Sequence, residues 1–317
     1  MGTILRNQQP ITTAENILSI LGYFDLFQYP LTKDEIHLFH SDSISASVID
    51  ETLEILCRDK NIFRLDEFYS LQNDLTLAQL RRKGNDLAVT QMKTANKVAK
   101  FLSRFPYVQG IAVSGSLSKN FANEKTDIDF FIVTAANRLW IARTLMHLYK
   151  KITFLTGRQH WFCMNYYVDE AGLEIAEKNI FTAMEIVTLV PMQGRSSMAK
   201  FIACNDWTKS YFPIHGFAIG NTPEIKRRPI RRLIESILNG KLGDGFDKWL
   251  MHITDRRWQK KAQMHKLNSK GICMGMIVDR HFSKPDPKNF QDKVVEQHRV
   301  KVQQLLQLQN KTASLVL

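Results

Sequence analysis

The chain has 317 residues, 44% of them apolar and 23% charged, which suits about two domains of roughly 150 residues with real cores. Lys and Arg number 43 against 31 Asp and Glu, a formal charge of +12, and the pI is about 9.5, a balance that favours polyanions such as nucleic acid or nucleotide phosphates without choosing between them. No run approaches the roughly 20 apolar residues that span a bilayer. The N-terminal stretch lacks the order of a secretory signal, and Cys57, Cys163, Cys204 and Cys273 stand singly. We therefore expect no membrane span, no disulfide framework and no CxxC clip, but a cytoplasmic protein with reduced, mostly buried thiols.

In chain order, Thr12–Glu15 and Thr32–Glu35 each have the capping-box form that opens a helix. Ile17, Leu18, Leu21 and Phe24 follow the first at helical spacing, and Ile36 and Phe39 the second. A third helix is expected from about Ser45, and residues 61–71 read as two short strands around an Asp66–Glu67 turn. Three helices and a hairpin make a winged helix over 1–75. The third helix carries Asp50, Glu51 and Glu54 and no cation before Arg58, whereas phosphate contacts need Lys or Arg; a structural or partner-docking module is expected rather than a DNA reader. Residues 76–104 read as a connecting helix, with Gly84 as the point where it would break.

The chemistry concentrates next. An apolar run, Val108–Val113, leads into Ser114-Gly115-Ser116, and residues 117–126 separate it from Asp127-Ile128-Asp129 and the apolar Phe130–Val133. Gly115 lets backbone amides approach a ligand, and a helix opening at Ser116 would offer free N–H groups, a dipole end and a hydroxyl to a phosphate. On a strand, Asp127 and Asp129 share one face while Ile128 and Phe130 point into the core. Two hard oxygen ligands on one face suit Mg²⁺ (or Mn²⁺) when substrate phosphates complete its shell.

This strand, Gly-Ser, helix and Asp-x-Asp strand resembles the nucleotidyltransferase superfamily that includes DNA polymerase beta, CCA-adding enzymes and the antibiotic nucleotidyltransferases. The resemblance implies a mixed-sheet α/β (α+β) core over 105–198. It also implies nucleotide phosphates held at Gly115 and Ser116, and two divalent ions at Asp127 and Asp129. The family's third carboxylate lies on a later neighbouring strand, where it can help deprotonate the attacking hydroxyl. Here that strand, Trp161–Val168, offers Asn165; an amide oxygen can ligate Mg²⁺ but brings no charge and no base. Glu174, on an expected returning strand 173–175, is the alternative third acid, and Asp169 and Glu170 are read as turn residues.

Residues 137–150 form a helix by spacing, with Arg138, Arg143 and His147 read as a basic surface face in preference to groups that face substrate phosphates, and 180–187 another core helix. From 199 to 317 we expect a basic α-helical domain. Lys226, Arg227, Arg228, Arg231 and Arg232 cluster in it, and Arg256, Arg257, Lys260, Lys261 and Lys266 interleave with Trp249 and Trp258, a pattern compatible with RNA or a solvated face. Lys284–Pro287 should be a turn before a last helix from Asn289. The histidines show no zinc spacing. The expected activity is transfer of an NMP from an NTP to an acceptor hydroxyl, on RNA, a protein or a small molecule, with release of pyrophosphate. The competing expectation is a nucleotide-sensing or nucleic-acid-binding regulator that keeps the fold without the third acid.

Overall fold

A computed structural model describes residues 12–124, 127–217, 219–226, 228–264, 275–285 and 289–314. The chain divides into two units, one from the described residues of Met1–Arg82, Lys209–Gly216 and Asp292–Leu317, the other from Lys83–Thr208 and Phe217–Gln291. Among the described residues, no helix is long and apolar enough to cross a membrane.

The first unit begins with α1 (Thr13–Asp25), β1 (Leu31–Thr32), α2 (Lys33–Leu38), α3 (Ala46–Arg58), β2 (Phe63–Leu65) and β3 (Phe68–Ser70). Both capping boxes form: the Thr12 and Thr32 hydroxyls accept from the amides of Glu15 and Glu35, whose carboxylates accept from the threonine amides, so orphan donors at both helix starts are paired. The strands order β1-β3-β2, all antiparallel. Asp66 takes the turn with φ +58°, a left-handed conformation that a short acidic side chain tolerates. Ile17, Leu21, Phe24, Ile36, Ile49 and Leu53 bury the apolar faces of the three helices.

The helix α4 (Leu75–Leu102) runs unbroken through Gly84. Glycine is kept there because the Phe121 ring lies on it: a Cβ at Gly84 would come within 2.3 Å of that ring. The Gly84 carbonyl also accepts from the Ala122 amide at 3.1 Å, so α4 braces the loop that leads to Asp127.

The second unit continues with β4 (Val108–Ser114), α5 (Gly115–Ser118), β5 (Asp129–Thr134), α6 (Leu139–Thr153), β6 (Cys163–Asp169), α7 (Ile180–Val187), β7 (Val190–Gln193), α8 (Arg195–Cys204), α9 (Pro229–Ile237), α10 (Lys241–Gln263), β8 (Met276–Val278) and β9 (Phe282–Pro285). Its six strands order β7-β4-β5-β6-β9-β8; β5 and β6 are parallel and every other pair is antiparallel. The sheet is mixed and buried on both faces, which explains why its strands read as apolar runs rather than alternating ones. Val113, Phe130 and Ile132 join α4 and α6 residues in one core, while Ala112, Phe131 and Val133 join Ile186, Met198 and Phe201 of α7 and α8 in the other.

Residues 199–317 do not form the separate helical domain expected. Residues 276–285 extend the sheet, Lys284 and Pro285 lie in β9 instead of a turn, and the last helix, α11 (Phe290–Ser314), belongs from Asp292 onward to the first unit. There Val294 is buried, His298 Nε2 lies 3.0 Å from the Ser19 carbonyl, and Lys301 pairs with Asp25. The thiols are also less buried than expected: Cys57 and Cys163 are partly exposed and Cys204 exposed, while Cys273 lies outside the described residues.

Candidate active site

The site is built at the mouth of β4 and β5, where Ser114 pairs directly with Asp129. The next residue, Gly115, turns with φ +69°, and a Cβ there would stand 2.8 Å from Asp129 Oδ2. Two independent demands, a left-handed backbone and the contact with the carboxylate, therefore select glycine. The Gly115 carbonyl accepts from Ser118 Oγ at 2.8 Å and from Lys119 Nζ at 3.3 Å, and Lys119 also pairs with Glu185 at 2.7 Å. α5 spans four residues, a single turn with little macrodipole. What this corner offers a phosphate is local: backbone N–H groups and the partly buried Ser116.

Asp127 precedes β5, which starts at Asp129, yet it is fixed in line with the strand. The Ile128 amide donates to the His160 carbonyl at 3.0 Å, and the Cys163 amide to the Ile128 carbonyl at 3.3 Å. His160 also brings its Nδ1 to 2.7 Å from Asp127 Oδ1. Reading the sequence for zinc motifs missed His160, because its partner lies far away in the chain; the only local signal was its place just before the β6 run. Ile128 and Phe130 are buried in the opposite core, leaving Asp129 on the face it shares with Phe131.

Asn165 reaches this corner through an irregularity. Phe130 pairs with Met164 but Phe131 pairs with Tyr166, so Asn165 is the extra residue of a bulge, a device that re-aims side chains beside functional sites. Its Nδ2 donates to Asp129 Oδ1 at 2.5 Å, and the Cys163 thiol donates to its Oδ1 at 3.1 Å. Burial, reinforced by the Asp129 charge, pushes that thiol up to about 12, so in the metal-free protein Cys163 is a neutral hydrogen-bond donor.

Glu174 is not brought to this group. It lies on no strand, its side chain is 58% exposed, and it pairs with Lys178 at 2.6 Å. The antiparallel neighbour of β6 is β9, from more than a hundred residues later, rather than a return at 173–175. Asp169 is no mere turn residue either: it ends β6 fully buried, accepts from the Asn137 and Ala171 amides at 2.8 and 2.9 Å, and faces His281 Nδ1 at 3.0 Å. Among the described residues, no three or more His, Cys, Asp or Glu side chains gather as a metal cage would need. Asp127 and Asp129 are the carboxylates that could hold a divalent ion, and two carboxylates plus substrate phosphates meet the demand of Mg²⁺.

The expected basic face of α6 is buried. Arg138 pairs with Asp244 at 2.5 Å and donates to the Leu238 carbonyl. Arg143 lies 5.5 Å from the Trp140 ring centroid, with burial lowering its pKa, and burial holds His147 well below its ordinary range. Arg231, in the next cationic cluster, is buried against Glu235 at 2.7 Å and the Ser103 carbonyl. On α10, in contrast, Arg256, Arg257 and Lys260 are exposed and Lys261 lies 4.5 Å over the Trp258 ring; Arg227 and Lys266 lie outside the described residues.

Residues 95–184 match the family model of the nucleotidyltransferase domain. That stretch runs from the last turns of α4 to α7 and contains the Gly115–Asp129 corner, Asp127 and Asn165. The match supports a domain that transfers nucleotides, a phosphorus-containing group, with a nucleotide as substrate. No curated protein and no solved structure matches the chain.

Proposed function

We propose that this protein is a Mg²⁺-dependent nucleotidyltransferase that moves an NMP from an NTP to an acceptor hydroxyl. The observation that carries the proposal is the Asp129 carboxylate set against Gly115 and bonded by Asn165, with Asp127 two residues before it in the chain. In the reaction the acceptor oxygen bonds to the α-phosphorus, the bond from that phosphorus to the bridging oxygen breaks, and pyrophosphate leaves with the electron pair. Gly115 and Ser116 cradle the phosphates; Asp127 and Asp129 hold the cation, and His160 and Asn165 orient them. A divalent ion bound there supplies charge neutralisation of the triphosphate, the main chemical need of such a transfer once the reactants are aligned.

The N-terminal three helices and hairpin are read as a winged helix that docks a partner, since the exposed length of α3 is acidic and its Asp50 pairs with Lys33 at 3.1 Å. Arg256, Arg257, Lys260 and Lys261 are the residues proposed to meet RNA, if the acceptor is one. A second reading, a nucleotide-sensing regulator on the same fold, is favoured by one observation: an amide, Asn165, stands beside Asp129 where a third acid would serve the transfer. Incubating the protein with each α-labelled NTP, Mg²⁺ or Mn²⁺ and cell extract distinguishes the two. The transferase labels one acceptor fraction, and the regulator binds nucleotide and labels nothing.

A further inference from the structure

Asp129, Ser114 and Gly115 open onto a pocket of about 310 Å³ between the β5–β6 face and α7. Its walls are Phe131, Tyr166, Phe181, Ile186, Leu189 and Phe290. They include two edge-to-face pairs, Phe131–Tyr166 at 5.3 Å and Phe181–Phe290 at 5.9 Å. The two lysines nearby are matched by acids: Lys284, on the lining, pairs with Glu177 at 2.5 Å, and Lys119 pairs with Glu185 of the lining at 2.7 Å.

We propose that this pocket is the acceptor subsite, and that the acceptor is a small hydroxyl compound with an apolar, ring-bearing body. The inference rests on the transferase reading of the same corner and adds to it the class of acceptor. Size argues for it, since small-molecule sites begin at roughly 300 Å³ and are mostly apolar with a few polar groups. Charge argues against a polynucleotide in this pocket, because a strand needs cations ready to meet successive phosphates, and both lysines here already have carboxylate partners. Glu185 lines the pocket together with Asp129 and, while one of its oxygens pairs with Lys119, accepts the hydroxyl's hydrogen bond on the other; the proton passes to water as the hydroxyl oxygen bonds to the α-phosphorus.

Ligand-observed NMR on the full chain, with benzyl alcohol, toluene and a short oligoribonucleotide as probes, tests this in the presence of Mg²⁺ and a non-hydrolysable ATP analogue. The expected result is saturable binding of benzyl alcohol and toluene beside bound nucleotide. Ile186→Trp, which fills the pocket, should weaken both by about tenfold or more while nucleotide affinity holds. Phe181→Ala, at a partly exposed wall position, should weaken both by a few fold and covers the case in which the larger side chain prevents folding. Glu185→Leu should weaken benzyl alcohol but not toluene. Competition between benzyl alcohol and the nucleotide would mean that the pocket holds the nucleobase and would overturn the proposal, as would non-saturable binding or displacement of the probes by the oligoribonucleotide. If the nucleotide itself fails to bind, the transferase reading falls, whatever the alcohols do.

Discussion

Two aspartate corners stand at opposite ends of the parallel β5–β6 pair. At one, Asp169 is fully buried and meets two backbone amides and an imidazole, all within 3.0 Å. At the other, Asp129 is partly exposed, accepts from the Asn165 amide side chain and is pressed against a glycine that has no room for a Cβ. The first arrangement satisfies a carboxylate with fixed donors, so its energy goes into the fold; the second leaves it at the rim of a cleft, where a cation and phosphates can reach it. The contrast teaches that burial and the kind of partner, rather than the presence of an acid on a strand end, separate a structural aspartate from one that we propose as a ligand.

The sharpest way to break the comparison is to exchange the outcomes. Asp127→Asn with Asp129→Asn should lower transfer by about 10³-fold or more, beyond the loss of a single preorganised group, and should remove Mg²⁺-dependent nucleotide binding in calorimetry while the melting temperature stays put. Asp169→Ala should do the reverse. It leaves two backbone amides and His281 without their acceptor and empties a fully buried side-chain position, so thermal unfolding should show a clear loss of stability, with nucleotide affinity per folded molecule unchanged.

Asn165→Asp is the next largest effect. It sets a second carboxylate 2.5 Å from where Asp129 now accepts a hydrogen bond, so the metal-free protein should lose stability at neutral pH and regain it on adding Mn²⁺. Transfer should rise toward the 10²- to 10⁴-fold worth of an added acid–base group. A smaller test concerns Asp247, which burial pushes up to about 6 against the opposing pull of the Ile141 amide and Arg280. The folded state then holds this proton more tightly than the unfolded chain, so stability should fall as pH rises from about 4 to about 6. Asp247→Asn should flatten that slope in melts across the window. The smallest is Glu174→Gln, which removes one exposed ion pair and should cost less than about 1 kcal/mol, with turnover unchanged.

What was legible in the sequence was local. The capping boxes, the apolar strands and the Ser114–Asp129 stretch carry their signals within a few residues, and the turn at Gly115 and the Asp-x-Asp spacing needed no distant partner. What escaped depended on partners far along the chain. Arg138 reads as a surface cation and Arg231 as one member of a basic cluster because Asp244 and the Ser103 carbonyl, more than a hundred residues from each, cannot be paired by spacing. Glu174 was offered as a third acid because a return after β6 was expected, whereas β9 arrives from residue 282. The bulge that aims Asn165 at Asp129 adds a single residue to a ladder, and periodicity cannot register it.

The central claim is that Asp127 and Asp129 hold the metal that serves a nucleotide lying over Gly115 and Ser116. Anomalous scattering from crystals grown with Mn²⁺ and a non-hydrolysable NTP tests it most directly. The account predicts a manganese peak within about 2.0–2.3 Å of carboxylate oxygens of Asp127 and Asp129, slightly longer than Mg–oxygen bonds, with the triphosphate beside Gly115. Nucleotide bound without metal at this corner, or metal and triphosphate together on the basic face of α10, would contradict it.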